Sequence, residues 1–138
     1  MTNGQQRHDT LDGAAAIAWN FFEHLNRRDL AGAFALLDDD ATFWTNAYRQ
    51  AMPKDVTVRM LSKVMEFVPA RFDLLRSMSH GNVVALEATS SGVTRDDTQY
   101  DMVYAFWIEI REGRIIEIRE YADTFYGLNI IPPSVMSD

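Results

Sequence analysis

From residue 72 onward the chain abandons helical spacing for strand alternation, and that switch sets the fold class. Four segments, 72–78, 83–93, 100–110 and 115–122, carry the β-branched and aromatic residues of strands. His80-Gly81-Asn82, Asp96-Asp97 and Glu112-Gly113 supply the turns between them. Breaks this short join antiparallel neighbours, because a parallel return needs a long crossover. The last three strands are therefore expected to form an antiparallel meander.

The first half reads as helix. Leu11, Ala14, Ala15, Ala18, Phe21, Phe22 and Leu25 recur at helical spacing, with Asp9 or Thr10 as the cap and Asn26-Arg27-Arg28 at the end. Asp29 restarts a short helix over 30–37, which the acidic Asp38-Asp39-Asp40 ends; 41–44 reads as a strand and 46–52 as a loop. Pro53 suits the first position of a third helix, whose buried stripe is Val56, Met60, Val64 and Phe67, and Pro69 stops it. Helices first and strands later predict an α+β fold with segregated layers. Residues 1–8 read as a flexible N-terminal tail, 9–131 as one domain and 132–138 as a C-terminal tail.

A chain of 138 residues is the size of one domain. Its 13 Lys and Arg against 20 Asp and Glu give a net charge of −7, which repels phosphate backbones, so no nucleic-acid partner is expected. The absence of cysteine removes disulfides, thiolate nucleophiles and Cys-ligated metals. No apolar run approaches the roughly 20 residues of a membrane span, and the polar start MTNGQQRHDT lacks a signal-peptide core. No membrane partner and a cytoplasmic location are the resulting expectations. His8, His24 and His80 lack metal-ligand spacing, and no glycine-rich phosphate loop exists, so neither metal nor cofactor is expected. Ser90 and Ser91 have no placed histidine, which leaves a serine hydrolase unsupported.

The third of the four strands is apolar on both faces: Met102, Tyr104, Phe106 and Ile108 on one, Val103, Ala105 and Trp107 on the other. Three helices cover one face of such a sheet. The other, with Val103, Trp107 and Tyr121, is expected to pair two copies into a homodimer. The alternative is that strand curvature and the C-terminal tail cover it within one chain.

Residues 11–126 resemble the SnoaL-like branch of the nuclear transport factor 2-like superfamily. The marks are the Asn26-Arg27-Arg28-Asp29 break, the run Leu36-Leu37-Asp38-Asp39-Asp40-Ala41-Thr42-Phe43 and the ending Glu112-Gly113-Arg114-Ile115-Ile116-Glu117-Ile118-Arg119-Glu120-Tyr121-Ala122-Asp123. The resemblance implies a cone: three N-terminal helices against a strongly curved, mainly antiparallel sheet, with a deep apolar pocket inside. The superfold hosts isomerases, cyclases, epoxide hydrolases, dehydratases and non-enzymes, so it implies little about activity.

In the limonene epoxide hydrolase branch, the positions matching Trp44, Asn46, Glu87, Thr89 and Glu120 line the pocket. That register puts Glu87 and Glu120 on neighbouring strands in an apolar cavity. Burial and mutual repulsion there raise carboxylate pKa values toward neutrality, as acid–base work requires. The alternatives are that each is tied to a cation, Arg49, Arg71, Arg76 or His24, as a structural ion pair, and that Glu87 faces outward. The chain also departs from its relatives. Glu87 stands at that branch's arginine position, Thr89 at its first aspartate and Trp44 at its tyrosine, while Asn46 is kept; epoxide opening in its familiar form is unsupported. Ketosteroid isomerase's oxyanion tyrosine aligns near Phe21 and its base near Thr45. The polyketide cyclases' aspartate falls at or beside Asp123, which also suits a turn cap.

Trp19, Phe22, Phe43, Trp44, Tyr104 and Phe106 are expected to line the pocket or to form core. Met102 shares the inward face of its strand, and Met52, Met60 and Met65 offer adaptable surface near the entrance. The apolar segment 124–131 is either a lid on the pocket or a dimer contact. The resulting expectation is a cofactor-independent enzyme of isomerase, cyclase, dehydratase or hydrolase type. It acts on a small hydrophobic molecule, with Glu120 assisted by Glu87 and Asn46. The alternatives are a non-catalytic small-ligand-binding protein and a dimeric interaction module.

Overall fold

The computed structural model describes residue 11 and residues 13–136. The predicted tail over 1–8 and the Asp9 or Thr10 cap lie outside the described residues. Helix α1 (Gly13–Asn26) buries Ala15, Ala18, Trp19, Phe21, Phe22 and Leu25 on one stripe, as its 3.6-residue spacing requires. Arg28, in the left-handed region at φ 61°, breaks the chain away from it. Asp29 then caps helix α2 (Leu30–Ala35) by accepting a hydrogen bond from the Gly32 amide, which holds its carboxyl below the usual range.

Strand β1 (Leu37–Thr45) begins earlier than its sequence suggests. The acids Asp38–Asp40, read as a helix stop, lie inside it. Leu37 is buried and pairs with Ile115, and a register shift before Thr42 leaves room for the solvated acids. Short β2 (Ala51–Pro53) overlaps the end of the predicted loop and pairs back on β1. Pro53 is the N-cap of helix α3 (Lys54–Phe67), one position before the helix proper.

Strands β3 (Arg71–His80), β4 (Val83–Val93), β5 (Gln99–Arg111) and β6 (Arg114–Ala122) follow the predicted segments closely. Glu112 and Gly113 both have positive φ, 52° and 77°, the two-residue turn whose twist matches its strands. The sheet order is β2-β1-β6-β5-β4-β3. All neighbours are antiparallel except β1 and β6, which are parallel and bring the start of the sheet against its last strand.

Among the described residues five helices are present where three were expected. The extra two, α4 (Thr124–Ile130) and α5 (Pro133–Met136), come from the segment expected as a lid or dimer contact and from the expected C-terminal tail. Asp123 caps α4, and Ile131 beyond it is buried with Phe67, Val68, Tyr100 and Met102 in a second, smaller core. The main core packs α1 against the inward face of β3–β6. Its hub is Phe22, whose ring meets Trp19, Phe21, Phe72 and Phe106 at centroid distances of 4.7–5.3 Å. No described helix is long and apolar enough to cross a membrane.

Candidate functional site

A cavity of about 120 Å³ opens between α3, α4 and the inward face of the sheet. Its walls are mainly apolar: Phe43, Met60, Met65, Phe72, Met102 and Leu128 contribute. Strand alternation decides what else enters. On β6, Ile118 is buried beside Ile108, and Glu120, two residues on and opposite Phe106, turns the same way into the cavity. On β5, Tyr100, Met102 and Tyr104 all reach it.

Glu120 is the focus. Its Oε2 accepts a hydrogen bond from Thr45 Oγ1 at 3.2 Å. Burial pushes its carboxyl up to about 7, against the smaller lowering effect of that hydroxyl. Among the described residues, none of the salt bridges involves it. The phenols along the same wall are raised as well: burial lifts Tyr100 to about 12 and Tyr104 well above its usual range, so both stay protonated hydrogen-bond donors.

Asn46 does not face the cavity. Its Nδ2 donates to the Ala122 carbonyl and its Oδ1 accepts from the Ala122 amide, both at 3.1 Å, while its own amide donates to the Glu120 carbonyl. The side chain thus prolongs the β1–β6 pairing by one rung and fixes the backbone on both sides of Tyr121. Replacing Asn46 with Ala leaves Ala122 without that pair and is expected to cost about 1–3 kcal/mol in urea unfolding.

The second expected carboxylate is elsewhere. Glu87 lies on the outer sheet face, exposed, with Oε1 2.7 Å from Arg76 Nε. The residues of β4 that turn inward are Val84, Leu86, Ala88 and Ser90; the borrowed register is off by one, which reverses every side chain. Thr89 goes outward with Glu87. Trp44 is reversed for the same reason: Phe43 and Thr45 point in, while Trp44 lies under the Arg119 guanidinium, 4.1 Å from ring centroid to Cζ, beside Tyr121. Trp19, Phe22 and Phe106 are buried core rather than lining. Phe43, Met60, Met102 and Tyr104 line the cavity. Asp123 reaches its rim, with Oδ1 bonded to the Tyr126 amide as the α4 cap. His24 is engaged with Asp29 at 2.9 Å, away from the site.

Several lining residues were not anticipated. Tyr100 is legible in principle, since it shares the face of Met102 and Tyr104 on an alternating strand. Thr45 follows Phe43 in the same way. Tyr48 and the α4 residues Gly127 and Leu128 carry no such signal, because their place depends on how the chain folds back. A Cβ at Gly127 would come within 2.9 Å of Met102 Cε, the flexible end of a side chain that could move aside. Among the described residues, no three His, Asp or Glu side chains gather as a metal site would need.

Solved structures share this architecture. An NTF2-like protein of unknown function from Burkholderia pseudomallei is 15% identical, with a TM-score of 0.77 over 88% of this chain and 99% of that one. An LEH-like epoxide hydrolase from M. tuberculosis is 20% identical, with a TM-score of 0.72 over 84% of this chain and 86% of that one. A protein with a ketosteroid isomerase-like fold from Catenulispora acidiphila, solved with trimethylamine, is 15% identical, with a TM-score of 0.72 over 82% and 89% of the two chains. At these identities the likeness is one of fold. No curated protein matches the chain significantly. The model of the SnoaL-like domain matches residues 19–118, from the core of α1 to the middle of β6. That match spans well over half of the chain, and the protein is a member of the SnoaL-like domain family.

Proposed function

We propose that this SnoaL-like protein is a cofactor-independent enzyme that moves a proton on a small hydrophobic molecule, with Glu120 taking and returning it. One observation carries the reading: a carboxyl outside the described salt bridges, set in an otherwise mainly apolar cavity where burial pushes it up to about 7. Such a group is part ionised at neutral pH and serves as base or acid with little penalty. Phe43, Met60, Met102 and Tyr104 supply the substrate walls, and Asp123 is a second acid at the rim. Isomerisation, cyclisation, dehydration and hydrolysis all fit this equipment. A thermal-shift screen of small uncharged hydrophobic compounds tests the reading. Binders raise the melting temperature by mass action. Their conversion by the wild type, lost in Glu120→Gln, supports it. Recovery of every binder unchanged overturns it in favour of a binding protein.

We also propose that the protein is a cytoplasmic homodimer joined through the outer sheet face. Val103 and Trp107 there are 60% and 51% exposed, and Val83 borders Trp107; these exposed apolar side chains on one sheet face support the reading. Trp107→Glu is expected to weaken self-association by about 30-fold or more, as loss of a central aromatic anchor does. Light scattering across a dilution series checks it, and an unchanged molar mass for the variant removes this face from the interface.

A further inference from the structure

The cavity holds negative charge and no positive charge to match it. Glu120 stands in its wall and Asp123 at its rim, and among the described residues that line it there is no Lys, Arg or His. Other carboxylates of the chain are matched: Glu87 has Arg76 at 2.7 Å, Glu66 has Arg95 at 3.5 Å and Glu117 has Arg119 at 3.8 Å. Glu120 has the Thr45 hydroxyl on Oε2, and none of the described hydrogen bonds reaches its Oε1. Asp123 uses Oδ1 for the Tyr126 amide. The chain as a whole carries −7. Its field draws cations toward the cavity and turns anions away, and low-dielectric walls concentrate that field.

The remaining walls suit a cation that is mostly hydrocarbon. Five rings, those of Phe43, Tyr48, Phe72, Tyr100 and Tyr104, line the cavity. The face of an aromatic ring is negative, so a cation within about 6 Å of it is attracted. A metal ion gains little here, because among the described residues no three acids or imidazoles gather to replace its water. An organic ammonium differs. Its carbon skeleton packs on the rings and on Met60 and Met102, while its N–H groups donate to the Glu120 carboxylate. Volume sets the size. An apolar cavity of about 150 Å³ takes up benzene, so the 120 Å³ here suits a body of about five carbon atoms beside the charged nitrogen.

We propose that the cavity takes a small apolar amine as its ammonium ion, with Glu120 as the counter-ion inside and Asp123 as the attracting charge at the rim. This names the ligand class of the cavity, and it rests on the proton-transfer reading only in placing the Glu120 carboxyl there. An ammonium meeting an ionised Glu120 and a free amine meeting a protonated one give the same complex. In the second case the carboxyl O–H bond breaks, its electron pair stays on oxygen, and the nitrogen lone pair takes the proton. An uncharged ligand leaves the ionised Glu120 without a counter-charge, and a carboxylate ligand brings a like charge to it.

Cyclopentylamine, cyclopentanol and cyclopentanecarboxylate are the probes: one ring with a positive, a neutral and a negative head. Each is titrated by calorimetry into the wild type and Glu120→Gln at pH 6 and pH 8. The amine keeps its charge at both values, since alkylammonium groups titrate at about 10. At pH 8 the amine is expected to bind about tenfold more tightly than the alcohol, and the carboxylate not at all. Burial pushes Glu120 up to about 7, so its ionised fraction, and the amine affinity with it, rises about tenfold from pH 6 to pH 8. The alcohol shows no such rise. The phenols of Tyr48, Tyr100 and Tyr104, all raised by burial, stay protonated over this range. Glu120→Gln weakens amine binding by about 30-fold or more, removes the pH dependence and leaves the alcohol within about threefold. Asp123→Asn weakens the amine by about threefold and keeps the pH dependence. Amine binding no tighter than that of the alcohol at pH 8, binding of neither, or an amine affinity unmoved by pH in the wild type or by Glu120→Gln overturns the ammonium site. The wild-type pH series needs no variant to fold. An amine that binds in this way and is recovered unchanged supports the ammonium site and counts against proton transfer on that compound, so the two readings fail separately.

Discussion

Glu120→Gln should lower turnover by about 10²–10⁴-fold, the usual contribution of a positioned acid or base, while making the protein more stable at pH 8. Both effects come from one cause. Burial raises the Glu120 carboxyl from 4.5 to about 7, because its charged form loses hydration in the apolar cavity. In the unfolded chain the same group titrates at its ordinary value. Between those two pH values the folded state therefore binds more protons than the unfolded state. Stability then falls as pH rises through this window and levels off above it. At about 1.4 kcal/mol for each pH unit, the ionised carboxyl costs the fold about 3 kcal/mol above neutrality. Glutamine keeps the shape and the Thr45 contact without a charge. Urea unfolding of both proteins at pH 5 and pH 8 checks this: the curves should nearly coincide at the lower pH and separate at the higher. A wild-type protein as stable at pH 8 as at pH 5, with the variant no better, would mean that Glu120 is not desolvated. As a base, Glu120 also predicts turnover that rises with pH through about 7.

How far this site could be read from the residues varies with the strand. On β6, Ile118 and Glu120 share a parity, and the register taken from the resemblance agrees there with the alternation that turns both side chains into the molecule. On β4 both parities are plausible: Val83, Ala85, Glu87 and Thr89 against Val84, Leu86, Ala88 and Ser90. The second set is more apolar and is the buried one; the first was preferred because a resemblance supplied its register. Trp44 shows the same weakness, since a strand with aromatic residues on both faces does not declare its inside. Strands β3–β6, the α1 stripe, the Asp29 cap and the two-sided character of β5 follow from local spacing, so they were legible. The parallel pairing of β1 with β6, and the return of 124–136 over the cavity as helix, depend on contacts remote in sequence. No local pattern encodes them. Asn46 illustrates the gap well: the resemblance puts it in the pocket, but its amide is taken up by the Ala122 backbone.

Phe22→Ala should be the most damaging core truncation, costing about 3–5 kcal/mol in equilibrium unfolding. The ring is buried and touches four others, Trp19, Phe21, Phe72 and Phe106. Those contacts join α1 to β3 and β5, so the void cannot be closed by shifting one element without parting another. The effect should reach the site too. Tyr104 is wedged between Phe72 and Phe106, with centroids 5.8 and 5.0 Å away, and both of those rings rest on Phe22. Once the floor is hollow, Tyr104 loses its fixed orientation, and ligand affinity should fall along with stability although Phe22 itself does not line the cavity. Phe125→Ala is the control: its ring is 82% exposed, and the change should stay within about 0.5 kcal/mol. A loss below about 1 kcal/mol for Phe22→Ala would mean that the core relaxes around the gap. The aromatic hub would then not be what ties the helical layer to the sheet that carries Glu120.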